Sequence, residues 1–139
     1  MKIIYADDDQ LSLDIVLRAL QARGHQVYTI NTSHGEAMLQ QFEVLLDHQT
    51  PPQIIILDGH NLVLDAQGQV LFDLQPALLV AQLRQQGLSA EVKLVLYSSD
   101  EGLINEARNQ RSMGFSAAVP KVGNGGGLMA LLAAVETQY

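Results

Sequence analysis

Four apolar runs in this chain stop abruptly at residues able to hold a cation or a phosphoryl group. Residues 2–6 (KIIYA) run into Asp7, Asp8 and Asp9, and residues 54–57 (IIIL) end at Asp58. Residues 92–97 end at Ser98, and residues 117–120 end at Lys121. In an open parallel α/β sheet, ligands bind outside the carboxyl ends of the strands, so these are the positions to read for chemistry. Carboxylates converging there would raise one another's pKa unless a hard cation sat between them. Mg²⁺ suits all-oxygen ligands and is commonly held by one or two carboxylates together with phosphate oxygens. A carboxylate can also act as a nucleophile and form an aspartyl phosphate if the incoming charge is neutralised. Lys121 can supply that positive charge, and Ser98 a hydroxyl donor to a phosphoryl oxygen.

Each of these residues also has a plainer structural role open to it. Asp9 directly precedes a helix and reads as its cap. Asp7 and Asp8 could line a solvated turn, Ser98 or Ser99 could cap the following helix, and Lys121 could be a solvated lysine. His25, His34, His48 and His60 lack metal-ligand spacing and read as surface residues.

The elements that must position these groups alternate. Residues 2–6 read as a buried strand, followed by a helix with Leu13, Val16, Leu17 and Leu20 on one face and Gly24 as its stop. Residues 27–30 form a second strand, then Ser33 and Glu36 stand at the spacing of a reciprocal helix cap. That second helix carries Ala37, Met38, Phe42 and Leu45, and Pro51 and Pro52 close the segment. The unbroken run 54–57 implies a strand covered on both faces. Pro76 opens a third helix through Leu79, Val80 and Leu83, with Gly87 as its stop. A fourth helix, capped by Ser99 or Asp100, is expected to reach about Met113 before Gly114. Residues 117–120 are a weaker strand and 128–135 a short last helix, with Gly125, Gly126 and Gly127 as a flexible turn before it. The pattern is strand then helix throughout, which implies an α/β fold: a doubly wound, five-stranded parallel sheet with right-handed crossovers.

On these residues the chain resembles bacterial response-regulator receiver domains, CheY-like and flavodoxin-like in fold. The acidic pair in YADDD, the aspartate closing IIILD, the hydroxyl in LVLYSS and the lysine in AVPK follow in the receiver order over nearly the whole chain. The resemblance implies that Asp58 is the phosphoacceptor and that Asp8 is the main carboxylate on Mg²⁺, with Asp7 in support. It further implies the backbone carbonyl of His60 as a third metal ligand, Ser98 as the switch hydroxyl and Lys121 as the phosphate-binding lysine. The implied partners are a sensor histidine kinase or histidine phosphotransfer protein as donor and a downstream target protein. A single receiver domain over residues 1–139 is expected to act without an output domain, by protein contact or within a phosphorelay.

The chain departs from the receiver pattern in three places. Val122, not proline, follows Lys121, and Ala118 stands where a switching aromatic is usual, with Phe115 too early to replace it. The stretch from Asp58 to Ser98 is also about ten residues longer than expected, which surface connections tolerate. Within this insertion (residues 59–75), two apolar pieces flank Asp65-Ala66-Gln67-Gly68, which reads as a small hairpin covering the sheet edge or a helix.

Composition bounds the alternatives. The chain has 139 residues, 47% of them hydrophobic, enough for one domain with a sizeable core. With no cysteine, thiolate chemistry and disulfides are excluded, and a reducing, cytoplasmic setting is expected. No apolar run is long enough to insert in a membrane. A net charge of −7 opposes binding to nucleic acid. Two competing functions fit less well. One is a pseudo-receiver that binds protein without phosphorylation. The other is a Mg²⁺-dependent phosphohydrolase using the D-x-D in Asp7–Asp9, against which Asp58 and the small size both argue.

Overall fold

The computed structural model describes residues 1–34, 36–46, 50–110, 113–122 and 126–138, and of Glu36 and Gly126 the backbone only. The chain runs β1 (Lys2–Asp7), α1 (Gln10–Ala22), β2 (Gln26–Asn31), a short 3-10 turn over Thr32–His34, α2 (Glu36–Leu45) and β3 (Ile54–Asp58). It continues through β4 (Asn61–Leu64), β5 (Val70–Leu74), α3 (Pro76–Gln85), β6 (Lys93–Ser98), α4 (Glu101–Asn109), β7 (Ala117–Pro120) and α5 (Gly126–Glu136). Five strands pair in parallel in the order β2-β1-β3-β6-β7. The chain therefore winds outward in one direction from β1 to β2 and in the other from β1 through β3 to β7. The reversal lies between β1 and β3, whose carboxyl ends carry the acidic residues.

Strand alternation sorts the core into two layers. Ile3 and Tyr5 of β1, Ile54 and Ile56 of β3, and Val95 and Tyr97 of β6 pack against Leu13, Val16 and Leu20 of α1 and Leu131, Leu132 and Val135 of α5. On the other face, Ile4, Ala6, Ile55 and Leu57 pack against Met38 and Phe42 of α2 and Leu79, Val80 and Leu83 of α3. Leu96 and Ala118 pack there against Ile104 and Ala107 of α4. Burying one such aliphatic side chain contributes about 1.5–3 kcal/mol. The same alternation turns Asp7 and Asp58 toward the α1/α5 side, and Ser98 toward the other.

The helix ends follow their local chemistry. Asp9 caps α1, its Oδ1 accepting from the Leu11 N–H at 3.2 Å, and Asp100 rather than Ser99 caps α4, accepting from Leu103 N–H at 3.1 Å. Pro76 opens α3 at a position whose N–H would have had no partner. Gly24 and Gly87 follow α1 and α3 with φ of 85° and 97°, a conformation that other residues adopt at a cost.

Two expectations are corrected. α4 ends at Asn109, earlier than Met113, because Gln110 is already extended (φ −112°, ψ 91°). Gly126 and Gly127 belong to the first turn of α5 rather than to a loop, while Gly125 lies outside the described residues. Ser33 sits in the 3-10 turn, and the cap expected from Ser33 and Glu36 falls on Gly35 and the Glu36 side chain, which lie outside the described residues.

The insertion is the expected hairpin. β4 and β5 pair antiparallel as a separate two-stranded sheet, and the Asp65 carboxylate accepts from the Gln67 and Gln69 N–H groups, each at 2.9 Å, to shape the turn. Val63 and Leu74 point inward and join the core under α2 and α3, so the hairpin covers that face. Val70, Leu71 and Phe72 remain exposed. Among the described residues no helix is long and apolar enough to cross a membrane.

Candidate functional site

Asp7, Asp8 and Asp58 meet at the switch point. One carboxylate oxygen from each lies within 4.8 Å of the others. Asp7 is fully buried and Asp58 is 8% exposed, so neither charge is screened by bulk water. Lys121, at the end of β7, reaches across the sheet to both, with Nζ donating to Asp7 Oδ2 at 2.7 Å and to Asp58 Oδ1 at 3.0 Å. The Lys121 backbone N–H donates to the Ser98 carbonyl at 2.8 Å, which ties this loop to β6.

The electrostatics follow from three acids sharing one ammonium. Burial, and then the neighbouring Asp7 charge, push the Asp58 carboxyl up to about 6, with Lys121 pulling the other way. Burial and Asp7 also raise Asp8, against the pull of the Leu62 N–H. Burial disfavours the Lys121 ammonium, but Asp58 and Asp7 outweigh it and hold its pKa above the usual lysine value. With all three acids ionised the pocket carries two uncompensated negative charges. An all-oxygen donor set with that excess fits a divalent hard cation such as Mg²⁺.

Asp7 is held from three sides. Besides Lys121, the Tyr5 hydroxyl donates to Oδ2, and the Asp9 N–H donates to Oδ1 at 2.9 Å. Asp8 faces the hairpin, where the Leu62 N–H donates to its Oδ2 at 2.9 Å. Ser98 is buried and its Oγ accepts the Asp100 N–H at 3.1 Å, leaving the hydroxyl proton available. Ser98 lies against Gly59, where a Cβ would come within 2.1 Å of its Oγ. Gly127 is equally constrained, since a Cβ there would meet the Pro120 carbonyl at 2.8 Å and the Val122 nitrogen at 2.9 Å. α5 therefore packs directly on the Lys121 loop.

Several contributing residues escaped sequence reasoning. Asn61 is fully buried, accepts from Thr32 Oγ1 at 2.8 Å, and donates to the Asp58 carbonyl at 3.0 Å and the Leu74 carbonyl at 3.3 Å. The His60 side chain is not a free surface group. Its Nδ1 lies 2.8 Å from Asp73 Oδ2 and its Nε2 2.7 Å from Asp100 Oδ2, so it joins the hairpin to the cap of α4. Hydrogen bonds that its ring donates to Asp100 and then Asp73 raise its pKa. His25 is also corrected: it is partly buried beside the Met1 amine at 3.3 Å, and burial lowers its pKa. His34 is exposed, and His48 lies outside the described residues. Tyr97 places its ring 5.2 Å from Lys121 Nζ. Strand parity was the one available signal, since Tyr5 precedes Asp7 by two residues and must share its face.

No family model matches the chain, and no curated protein matches it. Solved structures do. The chemotaxis protein CheY4 of Vibrio cholerae aligns over 96% of this chain and 97% of its own at 17% identity, with a TM-score of 0.66. A response regulator receiver protein from Pseudomonas putida aligns over 98% and 95% at 18% identity, TM-score 0.64. The response regulator TrrA from Thermotoga maritima, in complex with Mg²⁺ and beryllofluoride, aligns over 95% and 96% at 17% identity, TM-score 0.59. The chain has the CheY-like receiver fold over nearly its whole length.

Proposed function

We propose that this chain is a response-regulator receiver that accepts a phosphoryl group on Asp58. The reading takes residues 1–139 as one receiver domain, with residues 59–75 inserted, acting in the cytoplasm. The observation that carries it is the placement of Asp58. It is a buried carboxylate at the switch point, bridged by Lys121 at 3.0 Å and flanked by Asp7 and Asp8.

The donor would be the phosphohistidine of a sensor histidine kinase or a histidine phosphotransfer protein. An Asp58 oxygen attacks phosphorus, the new P–O bond forms as the donor's P–N bond breaks, and the leaving imidazole takes up a proton from solvent. Asp8 and Asp58, with Asp7 in support and the His60 backbone carbonyl as a further ligand, would hold Mg²⁺, which would supply positive charge to the phosphoryl oxygens. Lys121 already touches Asp58 and has only to turn its ammonium from a carboxylate oxygen to a phosphoryl oxygen. Ser98 can donate its free hydroxyl proton to another. The two hydrogen bonds that fasten Ser98, to Asp100 and Lys121, then report the phosphoryl group to α4 and to the Lys121 loop. That altered surface would engage a target protein rather than nucleic acid, in keeping with the net charge of −7.

The test is intact mass after incubation with acetyl phosphate and Mg²⁺. A single phosphate-mass gain that is absent in Asp58→Asn and in EDTA supports the reading. A folded protein that gains no mass selects the phosphorylation-independent binding module, which Ala118, in place of an aromatic on β7, favours.

A further inference from the structure

Tyr5 and Tyr97 are buried aromatic residues that the phosphoryl chemistry leaves without a role. Tyr5 is fully buried on β1, two residues before Asp7 and on the same face. Tyr97 is 7% exposed and pairs across the sheet with Asp58. Their rings meet edge to face with centroids 6.4 Å apart, forming a floor beneath the acids and Lys121. Packing alone would be satisfied by aliphatic residues, because a buried hydroxyl is costly unless it finds a partner. The Tyr5 hydroxyl finds Asp7 Oδ2, the same oxygen that receives Lys121 Nζ. With the Asp9 N–H on Oδ1, two donors other than Lys121 fix the orientation of the Asp7 carboxylate. The Tyr97 ring lies 5.2 Å from Lys121 Nζ, within range of a cation–π contact.

We propose that Tyr5 and Tyr97 are positioning residues for Lys121: Tyr5 locks the carboxylate that anchors the ammonium, and the Tyr97 ring carries the ammonium from below. A lysine side chain has several rotatable bonds, and ordering it in advance removes an entropic cost from each binding event. The pair thereby sets Lys121 beside Asp58 before a phosphoryl group arrives. This deepens the Asp58 reading in its consequence, while the positioning itself rests on geometry alone.

The chain has three lysines, Lys2, Lys93 and Lys121, so the ε-methylene NMR signals of Lys121 can be followed individually. In the wild type the Tyr97 ring current shifts them upfield. They should move downfield in Tyr97→Leu and change position in Tyr5→Phe, while Lys2, itself 5.7 Å from the Tyr28 ring, stays put in both. In both variants beryllofluoride affinity should fall about five- to tenfold, and in Tyr97→Leu, which leaves the hydrogen bonds of Asp7 in place, Mg²⁺ affinity should stay unchanged within about twofold. Lys121 signals indifferent to both substitutions would overturn the proposal. So would Mg²⁺ and beryllofluoride affinities falling in parallel in Tyr97→Leu, the signature of ordinary core packing. A wild type that binds no beryllofluoride would instead overturn the Asp58 reading, and the lysine signals would still decide the role of the tyrosines.

Discussion

The backbone N–H of Leu62 donates to Asp8 Oδ2 at 2.9 Å, so the inserted hairpin touches the acidic cluster directly. Its neighbours extend the link. Asn61 reaches the Asp58 carbonyl and Thr32, and His60 reaches Asp100 at the start of α4. Three consecutive residues thus join the hairpin to the ends of β1, β2, β3 and β6.

Asn61→Ala should be among the more damaging single changes in the insertion. It leaves Thr32 Oγ1 and two buried carbonyls short of a partner, at a cost of about 1–3 kcal/mol for each group left unsatisfied. Urea unfolding should show a lower midpoint. Asn61→Asp keeps the acceptor for Thr32 but loses both donations, so it should not restore stability.

Asp58→Asn should stabilise the metal-free protein at neutral pH. The folded pKa of Asp58, about 6, stands above its unfolded value, so the native state binds the extra proton and stability falls as pH rises between the two. The cost is absent below about pH 4 and fully present above the folded pKa. Thermal melts in EDTA should therefore show Asp58→Asn more stable than wild type at neutral pH, with the gap closing on acidification. A gap that widens in acid would have the wrong sign.

His60 contributes with the opposite pH dependence. Two carboxylates accept from its ring, which requires both nitrogens to carry protons, and its folded pKa is raised by Asp100 and then Asp73. The stabilisation is fully present below about pH 6.5 and is lost as pH rises through the folded pKa. His60→Gln should be less stable than wild type near pH 6, and the difference should shrink as pH rises through the folded pKa of His60. The effect is modest because the His60 side chain is 45% exposed.

Gly59→Ala should disturb Ser98. A Cβ at this position would lie 2.6 Å from Ser98 Cβ and 2.7 Å from Leu103 Cδ2, closer than atoms pack, so the β6–α4 loop must shift. Overpacking of this kind costs about 1–3 kcal/mol. Beryllofluoride affinity should fall together with stability, as read by titration and thermal melts.

The elements and the acids were legible in the sequence because their determinants are local. The run 54–57 ends in an acid, Asp9 stands before an amphipathic helix, and Pro76 fits only a helix start. The end of α4 was misplaced because the residues after Asn109 carry no breaker before Gly114. The side-chain roles of Asn61 and His60 were not legible for a different reason: their partners, Thr32 and Asp100, lie 29 and 40 residues away, and only the fold brings them together. Tyr5 fell between these cases. Strand parity gives its face, but not that its hydroxyl would meet the oxygen that holds Lys121.

The most direct test of Asp58 as phosphoacceptor is borohydride trapping. An aspartyl phosphate is reduced to homoserine where an unmodified aspartate is not, so peptide mass spectrometry after treatment with acetyl phosphate and Mg²⁺ reads the site itself. The account expects homoserine at position 58, dependent on both reagents and strongly reduced in Lys121→Ala. Homoserine at Asp7 or Asp8, or at no position in a folded protein, would contradict it.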